Sequence, residues 1–262
     1  IQCFYPFCRC LVGCNDDGEP IKEHDFLLRC VPPDLPEQRI TEFTLTIVPM
    51  DRGGRYGTDA FGNRTYKGRI PAPHMSFRYT VRGRAVRDDS AKQREDTVLP
   101  GYKYPSRLTE PTDEMKDFLA SLPLSGTALA KALAISTAVH EHFIYTPGAT
   151  GVSTTAGEAF HQAKGVCQDY AHVFLSLCRL SGIPARYVSG LPEGEGVSHA
   201  WAEIWDDGYW YGVDPTRHVP VDEGYLKLSM GRDFTDCPIE SGLFSGYTDQ
   251  QQKVYMKVCQ EQ

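Results

Sequence analysis

The chain has 262 residues, of which 41% are apolar and 23% charged, enough to bury one large core or two small ones. A net charge of −7 argues against a nucleic-acid surface, which needs a basic face. No apolar run approaches the ~20 residues of a membrane-spanning helix, and Ile1-Gln2-Cys3-Phe4 lacks the charged-then-apolar pattern of a secretory leader, so the expected location is cytoplasmic.

Residues 1–104 read as a β-rich domain. Phe26 to Val31 is a short apolar segment stopped by Pro32-Pro33. Thr41 to Val48 and Met75 to Gly83 alternate polar with apolar, the mark of half-buried strands. Asp51-Arg52-Gly53-Gly54 and Phe61-Gly62-Asn63-Arg64 read as turns. Short strands at this spacing predict a small antiparallel sandwich. Val98 to Pro105, with two prolines and a glycine, reads as a linker into a second domain, residues 105–262.

Helical signals follow. Thr112 precedes a short helix, Ser125 or Thr127 caps a longer one, and Thr154 or Thr155 opens a third piece ending at Gly165. Cys167 then opens an apolar run closed by Ser181-Gly182-Ile183-Pro184, where glycine and proline stop the helix. A cysteine in that first turn faces unpaired N–H groups and the positive end of the helix dipole. Such surroundings favour the nucleophilic thiolate and could hold an oxyanion. The period then changes to two. Pro184 to Gly190, His199 to Trp205 and Tyr209 to Asp214 read as strands, the last two joined by the hairpin turn Asp206-Asp207-Gly208. That hairpin brings His199, at the start of one strand, to the same end as Asp214, at the finish of the next. A carboxylate there would set the imidazole's tautomer and stabilise the imidazolium. Residues 220–262 show no clear periodicity.

Alone, Cys167 would read as a core residue, as Cys178 does; its company with His199 and Asp214 changes that reading. His172 reads as a packing histidine, His140, His142 and His161 as solvated or structural, and His218 as a candidate to line the cleft. The loop from Leu191 to Gly196 is expected to border that cleft. Nine cysteines include Cys3, Cys8, Cys10 and Cys14 in a C-x4-C-x-C-x3-C run, which departs from paired zinc-ligand spacing. Free thiols and no metal or other cofactor are expected.

Four segments in order carry a resemblance: Gly165-Val166-Cys167-Gln168-Asp169-Tyr170-Ala171-His172, Gly182 to Gly190, His199-Ala200-Trp201-Ala202-Glu203, and Asp214-Pro215-Thr216. They resemble the transglutaminase-like superfamily of papain-related cysteine enzymes. Tyr145 to Gly148 with Thr150 looks like a segment of its bacterial members. Phe26 to Pro32, Asp59 to Asn63 and Pro73-His74 look like their β-rich N-terminal region. The resemblance implies an α+β fold, a papain-like core of helices on an antiparallel sheet behind a β-sandwich-like N-terminal domain. It implies Cys167 as nucleophile, His199 as general base and then acid, and Asp214 as the orienting carboxylate. The Cys167 N–H and the Gln168 side chain are candidate oxyanion donors, and Tyr170 and Trp201 candidate walls of the acyl site. The expected activity is hydrolysis of a peptide or protein amide through a thioester. The alternatives are a transglutaminase, with an amine as acceptor, and a non-catalytic binding module of the same fold. No calcium-loop signature is present.

Overall fold

Six strands precede any α-helix: β1 (Gln2–Cys14), β2 (Lys22–Leu28), β3 (Gln38–Val48), β4 (Arg52–Thr58), β5 (Arg64–Ile70) and β6 (Ser76–Arg87). The computed structural model describes residues 2–14, 20–245 and 250–261. β6 obeys the period of two, turning Phe77, Tyr79, Val81 and Ala85 inward. β4 does not. It is exposed along nearly its whole length, and its start was expected as a turn; the ladder to β5 holds it as a strand, with a register shift between Arg52 and Arg55. The linker predicted around residue 100 is anchored, because Tyr102 is buried edge-on against Trp210.

The helices form where capping side chains start them. In α1 (Asp113–Ser121) Thr112 accepts from the Met115 N–H, and in α2 (Ala128–His142) Thr127 accepts from that of Ala130. β7 (Ile144–Tyr145) leads to α3 (Ala156–Gln162), capped by Thr155, then to β8 (Lys164–Gly165), parallel to β7. Next comes α4 (Cys167–Leu180), buried on every side from Asp169 to Arg179, as a helix central to a core must be.

The rest of the chain is β: β9 (Ala185–Pro192), β10 (Gly194–Gly196), β11 (His199–Asp206), β12 (Tyr209–Asp214), β13 (Val219–Pro220), β14 (Tyr225–Gly231), β15 (Glu240–Ser245) and β16 (Gln250–Glu261). The turn between β11 and β12 has Asp207 and Gly208 at positive φ, the hairpin geometry the sequence predicted. β13, β12, β11, β9 and β14 make one antiparallel sheet in that order, with α2 and α4 packed on it. The N-terminal strands form two facing sheets, β10-β16-β1-β6-β3 and β15-β2-β5-β4. Thus β15 and β16, which sequence periodicity left unassigned, hydrogen-bond with the N-terminal strands. The helix-side core gathers Ile135, Phe174, Leu177, Tyr187 and Ile204. A second core joins Phe26, Phe77 and Tyr79 of the sandwich to Leu191, Leu226 and Leu228 of the other sheet. No helix among the described residues is long and apolar enough to cross a membrane. The free-thiol expectation for Cys3, Cys8, Cys10 and Cys14 concerns side chains outside those described; Cys167, Cys178, Cys237 and Cys259 are free.

β14 is an edge strand, and buried edges need partners for their backbone groups. Two amide side chains supply them. Gln38 donates to the Lys227 carbonyl at 3.0 Å and accepts its N–H at 2.8 Å; Asn63 does the same for Met230, both at 2.7 Å. Both amides are fully buried. Orphaning a buried backbone group costs about 1–3 kcal/mol. Asn63→Leu is therefore expected to lower the urea midpoint clearly, measured by fluorescence; an unchanged midpoint would show that this edge needs no cover.

Candidate active site

Cys167 is the first residue of α4 and is half-buried. Asp169 fixes the turn ahead of it: one carboxylate oxygen accepts the Val166 N–H at 2.8 Å and the Thr150 hydroxyl at 2.6 Å. Burial pushes this carboxyl up and those hydrogen bonds pull it back. Gly165 is required here, because a Cβ would come within 2.5 Å of that same oxygen. The carbonyl of Val166 accepts from Asp169 and Tyr170. The N–H groups of Cys167 and Gln168 lie ahead of any intrahelical partner and at the positive end of the dipole.

His199 begins β11. Its Nε2 lies 2.7 Å from Asp214 Oδ2, at the end of β12, and it hydrogen-bonds the Cys167 side chain. Since Nε2 is taken by Asp214, Nδ1 is left for the sulfur. Burial opposes the imidazolium, but the hydrogen bonds and charges of Asp214 and Cys167 outweigh it and raise His199 to about 9. Asp214 is fully buried yet well satisfied. Its Oδ1 accepts the N–H groups of Thr216 and Arg217 at 3.0 Å each, and its Oδ2 also accepts the Tyr225 hydroxyl at 3.0 Å. Burial works against its charge, and these donors together with His199 hold it below the usual carboxylate range.

The structure thus brings Cys167, His199 and Asp214 into one hydrogen-bonded chain. Of the other candidates, Gln168 lines a cavity beside Cys167, and the rest fall elsewhere. Gln168 spends its amide on the Val152 carbonyl at 3.3 Å. Tyr170 and Trp201, expected to wall the acyl site, are buried behind it. Tyr170 packs on Phe143, and Trp201 lies under His199 and edge-on to Tyr225, where Gly190 leaves room for its ring. The wall is formed instead by Tyr145, which lines cavities on both sides of Cys167. His218 stacks on His140 outside the cleft. His172 is buried, accepts the Phe234 N–H, and is pushed down to about 4 by that burial. Tyr225 was missed because it lies in a stretch without local pattern.

The loop from Leu191 to Gly196 does border the cleft. Its acids are partnered, Glu195 by Lys257 and Tyr255, Glu193 by Gln260. Among the described residues no cluster of three or more His, Cys, Asp or Glu side chains is placed to hold a metal ion.

Residues 120–215 match the family model of the transglutaminase-like superfamily, and residues 18–86 that of the bacterial transglutaminase-like N-terminal region. An uncharacterized protein of Mycobacterium leprae is 45% identical over 112 residues, 39% of this chain and 40% of that protein. One of Mycobacterium tuberculosis is 28% identical over 254 residues, 83% of this chain and 80% of its own length. The crystal structure of a candidate cysteine protease from Cytophaga hutchinsonii superposes with a TM-score of 0.80 at 20% identity, covering 99% of this chain and 92% of that one. At that identity the likeness speaks for the fold.

Proposed function

Because the chain belongs to the transglutaminase-like superfamily, we propose that it is a cysteine-nucleophile hydrolase of peptide or protein amides. The observation that carries this reading is the continuous hydrogen-bonded chain from Asp214 through His199 to Cys167, ending at a helix N-terminus on an open cleft. The Cys167 thiolate attacks the amide carbonyl, and the oxyanion that forms is held by first-turn N–H groups of α4. Protonated His199 gives its proton to the leaving amine as the carbon–nitrogen bond breaks, which leaves a thioester on Cys167. Neutral His199 then takes a proton from water, whose oxygen attacks the thioester and releases a carboxylic acid and the thiol. Asp214, pinned by Tyr225 and two backbone N–H groups, keeps the imidazole in one orientation throughout.

The test is hydrolysis of quenched peptides, followed across pH. His199 must carry a proton for the leaving-group step, and its pKa is raised from 6.5 to about 9. The acylation rate is expected to hold through neutral pH and fall as pH rises through about 9. The linkage has the same sign: a raised pKa contributes stability that is full below about 6.5 and is lost on the way up to about 9. A rate falling already near pH 6.5 would contradict the pairing. Adding a primary amine extends the test. If the amine is incorporated in place of hydrolysis, the transferase reading takes over.

A further inference from the structure

Two cavities meet at Cys167 and His199, and they differ in character. The first, about 330 Å³, runs under the loop carrying Glu193 and Glu195 and includes Ser198, Thr216 and Arg217. The second, about 490 Å³, lies between α4 and the N-terminal sandwich. Its walls are Tyr79 of β6, Tyr187 of β9, Phe234, Ile239, and Val254 and Met256 of β16. These come from both cores and from segments far apart in the chain, so the pocket exists only when the sandwich is docked on the helical part. Tyr79, Tyr187 and Met256 are almost wholly buried, which fixes the pocket's back. The Tyr187 hydroxyl is hydrogen-bonded to Ser189, so its ring presents apolar surface. At the mouth, Tyr145 and Val197 are 52% and 65% exposed, an apolar rim open among the described residues. Among the described lining residues Glu240 is the one carboxylate.

A mostly apolar pocket of this size, opening beside a reactive sulfur, suits one large side chain. We propose that it receives an aromatic side chain of the substrate, next to the amide attacked by Cys167, so that the enzyme selects amides flanked on one side by phenylalanine or a similar residue. The proposal rests on the hydrolase reading above and adds the substrate class.

The experiment uses the full chain and peptidyl chloromethyl ketones, in which the Cys167 sulfur displaces chloride from the reagent's methylene carbon. Labels ending in Phe, Gly, Asp or Lys are compared with iodoacetamide, and the modified cysteine is identified by mass spectrometry. The Phe label is expected to modify Cys167 about 10-fold faster or more than the Gly label, the discrimination a filled apolar pocket gives. A Phe-to-Phe internally quenched peptide series, with the aromatic residue on either side of the bond, covers the leaving-group flank. Ile239→Asp is expected to bring the Phe-to-Gly ratio toward one, and Ile239→Leu to preserve it. Fast iodoacetamide labelling with equal rates for all labels and all peptides overturns the pocket alone. So does a preference for Asp or Lys. Iodoacetamide labelling of Cys167 no faster than that of Cys259 overturns the hydrolase reading and the pocket with it.

Discussion

His199→Ala is expected to lower amide hydrolysis by on the order of 10⁴-fold, and Cys167→Ala by as much. The two effects should not add. Once the sulfur is gone the imidazole has nothing to activate, so the double variant is expected to match Cys167→Ala within a few-fold. Asp214→Asn discriminates further. Asparagine can still accept the N–H groups of Thr216 and Arg217, but it removes the carboxylate charge from beside His199. Burial works against the imidazolium, and that charge and its hydrogen bond, together with those of Cys167, hold it near 9. The alkaline limb of the rate profile should therefore move to lower pH, alongside a fall in rate. A variant that loses rate with its profile unmoved would mean that Asp214 holds backbone alone. Selective alkylation of Cys167, dependent on His199, provides the same test without a substrate.

Lys227→Met is expected to destabilise the fold by about 3–5 kcal/mol, the typical result of stripping a buried ion cluster of one member. That is a large share of the roughly 5–15 kcal/mol that keeps most domains folded. Lys227 is 2% exposed. Its ammonium contacts Glu203 and lies 2.7 Å from Glu37, and Glu203 in turn holds Arg186 at 2.6 Å. Burial opposes the charge on Glu203, yet the two cations hold its carboxyl down to about 2. A depressed carboxyl contributes stability that is present above about 4.5 and lost as pH falls toward 2. Without Lys227, Glu203 would keep Arg186 while Glu37 would lose its ion-pair partner. Adding Glu37→Gln to Lys227→Met should recover part of the loss. Denaturant unfolding at neutral pH reads both, and a loss under about 1 kcal/mol for Lys227→Met would show that water reaches the cluster.

The reactive end of the molecule was legible because its signals are local. Cys167 follows a glycine and opens an apolar helix, while His199 and Asp214 sit at the two ends of a hairpin whose turn announces itself as Asp-Asp-Gly. The supports of that end were not. Tyr225, Gln38 and Asn63 act through single hydrogen bonds to groups distant in sequence, and such bonds leave no period behind them. β4 was read as a turn because arginine and glycine dominate its start, and only the ladder to β5 makes it a strand. β15 alternates weakly because most of it faces solvent. Trp201 and Tyr170 were placed in the wall because they share a face with the key residues, two along a strand from His199 and three along a helix from Cys167; they do lie beside them, but buried one layer deeper.

The pairing of β1 with β16 also sets an order of events during synthesis. Residues 2–14 leave the ribosome ahead of the helical part, and their partners at 250–261 come after all of that part has been made. Until then β1 can pair on only one side, with β6, and the pocket beside Cys167 lacks the wall that Val254 and Met256 provide. Contacts this distant in sequence form slowly, because a long loop must close before they return anything. A nascent chain would thus carry its sulfur and imidazole before it has a finished cleft. Maturation of the site is timed by the arrival of a strand that contributes none of the reacting groups.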